Sequence, residues 1–142
     1  MKSYNLTEKD WQQNCWIVDA ENKVFGRLAS KIANILMGKH TAKFQPGWNR
    51  GDKVYVINAD KVKITGDKLK KKIYRWYTGY PGGLKEVVME KMLNKKPDYA
   101  LVNAIKGMLP HNSRGRKLFK NLRIVNDKTK IPSHAKEMDL KI

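Results

Sequence analysis

Two stretches of this chain gather cations at the spacing a polyanion requires. Residues 61–75 carry Lys61, Lys63, Lys68, Lys70, Lys71, Lys72 and Arg75 against the single acid Asp67. Residues 106–123 carry Lys106, Arg114, Arg116, Lys117, Lys120 and Arg123 and no acid. Positive donors at such short intervals can replace counterions along a phosphate backbone. The first stretch also runs into aromatic residues, with Tyr74, Trp76, Tyr77 and Tyr80 interleaved with Lys72, Arg75 and Gly79. Flat rings beside cations stack on unpaired bases while the cations hold the backbone. On a strand, Tyr74 and Trp76 face one side and Arg75 and Tyr77 the other. One set is then expected in a core and the other on a binding face. A charge run alone is usually just a solvated face; the aromatics give the nucleic-acid reading its weight.

Catalysis has little to work with. His40, His111 and His134 are scattered through basic or polar segments, and His40 suits a phosphate neighbour better than a general base. Cys15 is the only cysteine, so no internal disulfide and no cysteine-rich metal site can form. Neither His-Glu-x-x-His nor Cys-x-x-Cys occurs, which argues against zinc. Gly79-Tyr80-Pro81-Gly82-Gly83 precedes an expected helix, whose first N–H groups could meet a phosphate, but it lacks the Gly-Lys-Ser/Thr of a P-loop. A turn required by the fold explains these glycines equally well. Gly26, at the head of the first helix, reads as close packing rather than a nucleotide site. Asp19 and Asp60 could be paired in space, but turn or capping roles suit them better. No cofactor, metal or small-molecule substrate is expected.

The whole composition agrees with a polyanionic partner. The chain has 142 residues, a net charge of +17 and 41% hydrophobic residues, enough apolar material for a core. So high a charge on a small domain is self-repelling unless neutralised. Nucleic acid is the leading partner and an anionic membrane surface the second, with acidic proteins beside it; a solvated basic surface with no dedicated partner is the alternative. No apolar run approaches the ~18 residues of a membrane span, and polar Met1–Asp10 gives no secretory signal. A single domain over 1–142 is expected, with a core of about 15–125 and an irregular tail over 126–142.

The elements that must position these groups alternate between strand and helix. Trp16-Ile17-Val18 reads as a strand. Phe25, Leu28, Ala29, Ile32, Ile35 and Leu36 form one face of a helix that Gly38 is placed to stop. A loop, Lys39–Asp52, leads to a buried strand at Val54–Ile57, and short extended runs follow at Val62–Ile64 and Ile73–Tyr77. Leu84, Val87, Val88 and Met92 share a helical face, and Pro97 suits the first turn of a helix carrying Leu101, Ile105 and Met108. A short basic helix over Asn112–Lys120 and a last strand at Leu122–Val125 complete the pattern. The class is α/β.

Several strings, in order, are recognisable. They are Trp16-Ile17-Val18-Asp19-Ala20, Gly26-Arg27-Leu28-Ala29-Ser30, Gly38-Lys39-His40, Gly51-Asp52, Asn58-Ala59 and Thr65-Gly66, then Tyr77-Thr78-Gly79-Tyr80-Pro81-Gly82-Gly83 and Lys106-Gly107-Met108-Leu109-Pro110. From Trp16 to Val125 the chain closely resembles the bacterial-type L-thirteen family of large-subunit ribosomal proteins. The resemblance implies a three-layer α/β/α fold with a mostly parallel sheet and basic loop extensions. It implies binding to large-subunit rRNA early in assembly, beside neighbouring ribosomal proteins, in a cytoplasmic bacterial ribosome or alternatively an organellar one. On that basis Lys39, His40, Lys43, Lys68, Lys70, Lys71, Lys72 and Arg75 are expected on RNA backbone, and Trp76, Tyr77 or Tyr80 against bases. Lys106, Arg114, Arg116, Lys117 and Lys120 extend the footprint. The rivals are an RNA-binding translational regulator outside the ribosome and a small nucleotide-binding α/β enzyme.

Overall fold

In the computed structural model, which describes Thr7, residues 11–125 and 131–138, and Leu140, two apolar runs lie side by side as parallel strands. β1 (Cys15–Asp19) and β2 (Lys53–Ile57) pair from Cys15↔Lys53 to Asp19↔Ile57. β5 (Leu122–Ile124) flanks β2 and β6 (Lys136–Glu137) flanks β1, both parallel, giving the order β5-β2-β1-β6. The inner positions of the central strands, Val18, Val54 and Val56, are fully buried.

α1 (Phe25–Met37) covers them. Its apolar spacing puts Leu28, Ala29, Ile32, Ala33, Ile35 and Leu36 on one buried stripe. Gly38 ends it at φ 79, with its N–H turned back on the last carbonyls. α4 (Tyr99–Met108) lies alongside, adding Leu101 and Ile105 to the same core. On the other side of the sheet Ile17 and Ile57 line a cleft with Ile131, Pro132 and Ala135. The α/β class and the parallel sheet are as expected, and the arrangement is consistent with α/β/α layering.

A second, smaller sheet stands apart. β3 (Ile73–Tyr77) and β4 (Leu84–Val88) form an antiparallel hairpin. Its base is held by a second core in which Tyr74, Met89 and Ala100 are buried, with Phe25 packing against both cores. The four-residue α2 (Lys68–Lys71) leads into the hairpin and α3 (Met89–Lys95) follows it.

Four expectations need correction. Leu84 does not open a helix: residues 84–88 are β4, and the helix starts at Met89. Leu84, Val87, Val88 and Met92 do fit a helical period, but pairing with Ile73–Tyr77 outweighs it, and β-branched Val87-Val88 suits a strand. Val62–Ile64 is not a strand; Lys63 makes one isolated bridge to Val24. Pro97 stands just before α4 rather than within its first turn. The tail supplies β6 where an irregular segment was expected, although residues 126–130 lie outside those described. α5 (Ser113–Phe119) is as expected, and Asn112 Oδ1 caps it by accepting the Gly115 N–H at 2.9 Å.

Candidate nucleic-acid interface

The cations expected on RNA lie in three parts of the structure. The first is α2 with the hairpin. Lys71 Nζ is paired with Asp67 at 2.7 Å, while Lys68, Lys70 and Lys72 form no ion pair with a described residue. Lys72 Nζ lies 6.0 Å from the centre of the Tyr74 ring. Arg75 is ion-paired across the hairpin with Glu86, so its charge is largely offset within the protein.

The aromatics divide along the hairpin, not across it. Tyr74 is buried at the base, edge-on to Tyr99 with ring centres 5.5 Å apart. Burial, and then the neighbouring Tyr99, push its phenol above the usual value. Trp76 points to the same face but lies beyond the second core and is 43% exposed. Tyr77 and Tyr80 reach 61% and 75%. The expected division into one core set and one binding set therefore does not hold: Tyr74 and Trp76 share a parity on β3 but only Tyr74 is buried, because distance from the second core decides which rings are available to a partner.

The turn joining the strands closes on itself. Thr78 N–H donates to Gly83 O at 3.0 Å, and Gly83 N–H to Tyr80 O at 2.8 Å. Gly82 has φ 70, and a Cβ on Gly83 would lie 2.1 Å from Thr78 Oγ1. The turn needs these glycines. With β4 following, the expected phosphate site at a helix start beginning with Leu84 does not exist.

The second surface is the corner between α4 and α5. Lys106, His111, Arg116 and Lys120 border a groove of about 490 Å³ whose floor includes Leu109, Pro110 and Phe119. A Cβ on Gly115 would lie 1.7 Å from Pro110 O, so glycine lets α5 seat directly on this corner. Lys117 is exposed outside the groove lining. Arg114 is half-buried, and its Nε is buried with no hydrogen-bond partner among the described residues, so it is less available than Lys106, Arg116, Lys117 and Lys120.

The third surface is the loop after α1. Lys39 and Lys43 are exposed. His40 has another commitment: its Nε2 lies 2.9 Å from Oδ2 of fully buried Asp52. The same carboxylate accepts from Trp16 Nε1 at 2.7 Å and from Asn14 N–H at 3.1 Å. His40 is thus part of the joint that fixes the loop. Sequence reasoning missed the aromatics here. Trp48 is 42% exposed and stacked by Arg50 at 4.3 Å, with Phe44 exposed nearby. A tryptophan two residues from an arginine in a glycine-bounded loop was the available signal.

The acids are structural. Asp19 Oδ1 accepts from Glu21 N–H and from Asn58 Nδ2, both at 3.0 Å, which is a turn role. Burial, and then Asp60, raise the Asp98 carboxyl above its usual value. Gly26, read as close packing, is not closely packed among the described residues: a Cβ there would meet none of their heavy atoms within 4 Å. Among the described residues no group of three or more His, Cys, Asp or Glu could hold a metal, and no helix is long and apolar enough to cross a membrane.

Residues 13–131 match the family described as Ribosomal protein L13. A relative from Caldanaerobacter subterraneus subsp. tengcongensis, named large ribosomal subunit protein uL13, is 51% identical over 124 residues, 87% of each chain. The protein of the same name from Thermus thermophilus is 49% identical over the same shares. That from Syntrophomonas wolfei is 43% identical over 141 residues, 99% of this chain and 97% of the relative. With the family's match spanning both cores, the hairpin and α5, this chain belongs to the ribosomal protein L13 family.

Proposed function

We propose that the protein binds large-subunit rRNA through its three basic surfaces and stabilises converging RNA segments early in subunit assembly. As a ribosomal protein L13 it is a structural constituent of the large ribosomal subunit and not an enzyme. The α/β core is the rigid platform. Lys68, Lys70 and Lys72, the Lys106–Arg116–Lys120 groove, and Lys39 with Lys43 neutralise phosphates, while Trp76, Tyr77 and Tyr80 offer faces to unpaired bases. Neighbouring large-subunit proteins complete its surroundings, and the setting is the bacterial cytoplasm.

The observation that carries this reading is the α4–α5 groove, where Lys106, Arg116 and Lys120, separated in sequence, converge over an apolar floor. Binding of the purified protein to large-subunit rRNA, measured against salt, tests it. With ~6–10 phosphate contacts, affinity falls about 10³–10⁵-fold between roughly 50 and 200 mM salt, by analogy with duplex DNA. An affinity nearly independent of salt rejects a phosphate-dominated interface. Retention on large subunits through a high-salt wash separates a stoichiometric component from a transient RNA binder.

A further inference from the structure

Among the described residues nothing requires two of the helical positions to be glycine. Gly26 lies in the first turn of α1 and Gly107 in the last turn of α4. Neither has a positive φ, and a Cβ on either would meet no heavy atom of the described residues within 4 Å. Glycine weakens a helix, so two such positions open to empty space point to something outside the chain approaching closely. Both border the same groove, about 510 Å³, between the start of α1, the end of α4 and the base of the hairpin. That size falls within the ~300–1,000 Å³ of small-ligand sites.

The lining states the ligand's chemistry. Among the described residues Lys68 and Lys72 stand at the groove with no ion-pair partner and no acid lines it. Tyr74 contributes part of an otherwise largely apolar wall, and exposed Asn103 offers an amide that can both donate and accept. Apolar walls, one two-way hydrogen-bonding group and two cations suit a single unpaired nucleotide. Its base would enter between the glycines, its edge would meet Asn103, and its phosphate would meet the lysines. We infer that this groove receives one extruded nucleotide of the bound RNA. The inference deepens the rRNA reading and rests on it. An acidic peptide from a neighbouring protein is the competing occupant.

Gly107→Leu places a side chain in the groove from a position where its Cβ meets no heavy atom of the described residues within 4 Å. The expected result is an undiminished melting temperature and an affinity for large-subunit rRNA lowered roughly tenfold to a hundredfold, the worth of a stacked base. The slope of affinity against salt falls by no more than about one phosphate's worth, because only the extruded nucleotide's own contact with Lys68 and Lys72 is lost. Ultraviolet crosslinking of intact large subunits should attach a nucleotide to Tyr74 or to residues 103–108. Unchanged affinity, with crosslinks on α5 but none in the groove, overturns the inference and leaves the rRNA reading standing. A protein crosslink in the groove instead of a nucleotide also overturns it, in favour of the peptide. If the parent protein shows no salt-dependent rRNA binding at all, the underlying reading fails as well.

Discussion

Trp16 Nε1 donates to the buried carboxylate of Asp52 across 2.7 Å, and this bond ties the first strand to the loop that returns from α1. Asn14 N–H and His40 Nε2 share the same acceptor. Asp52→Ala leaves these groups without their common partner. Loss of charge-assisted bonds at a buried site costs about 1.5–3 kcal/mol. Urea unfolding should show a lower midpoint with an unchanged slope. A midpoint equal to the parent's would mean that the carboxylate is dispensable.

Glycine substitutions should separate two kinds of position. A Cβ on Gly51 would stand 1.6 Å from Leu36 O, so the backbone at the end of α1 must move to admit it. Gly51→Ala is expected to lose about 3 kcal/mol or more. Gly26→Ala meets nothing and gains roughly 0.5–1 kcal/mol of helix stability. Thermal unfolding of the two variants should therefore move in opposite directions.

The hairpin tyrosines make a similar contrast. Tyr74→Ala removes a buried ring from the second core and should cost about 3–5 kcal/mol, as for other core aromatics. Tyr80 is 75% exposed, so Tyr80→Ala should leave stability within about 0.5 kcal/mol of the parent. If Tyr80 stacks on a base, the same change weakens rRNA binding by roughly 1–3 kcal/mol. A marked drop in melting temperature for Tyr80→Ala would contradict this division.

Asp98 gives a pH dependence of definite sign. Burial and the charge of Asp60 raise its folded carboxyl above the usual 3.8, so the folded state holds the proton more tightly than the unfolded state. Stability therefore falls as pH rises from 3.8 through the raised folded value, and ionised Asp98 is a burden at neutral pH. Asp98→Asn should melt higher than the parent at neutral pH. The difference should close as pH drops below 3.8. A neutral-pH melting temperature at or below the parent's would count against the burial argument.

The parts of the fold written in local periodicity were legible. α1 has its apolar stripe and its stopping glycine in the sequence, and the central strands are short apolar runs. The segment at Leu84–Val88 was not, because its spacing serves a helix as well as a strand and only its partner Ile73–Tyr77 decides. β6 was hidden for another reason: two residues give no pattern, and their pairing with Trp16 and Ile17 comes from the far end of the chain. On the basic surfaces the residue types were legible and their partners were not. Nothing local tells that Glu86 faces Arg75 or that Asp52 holds His40. The groove beside Gly26 and Gly107 needs a spacing of some eighty residues to be read as one place.

The pairing of β1 with β6 also sets an order in time. β1 is made early and finds β2 after some forty residues, but its other neighbour comes from Lys136 and Glu137. Cys15 Sγ lies 3.3 Å from His134 Nε2, so the thiol too meets its partner only with that last segment. Until then the growing chain presents an unpaired strand rim, the feature by which half-made sheets join one another. Because that rim is covered at Trp16 and Ile17 only once Lys136 and Glu137 are in place, a chain cut after Val125 should expose a strand edge on which another chain can pair.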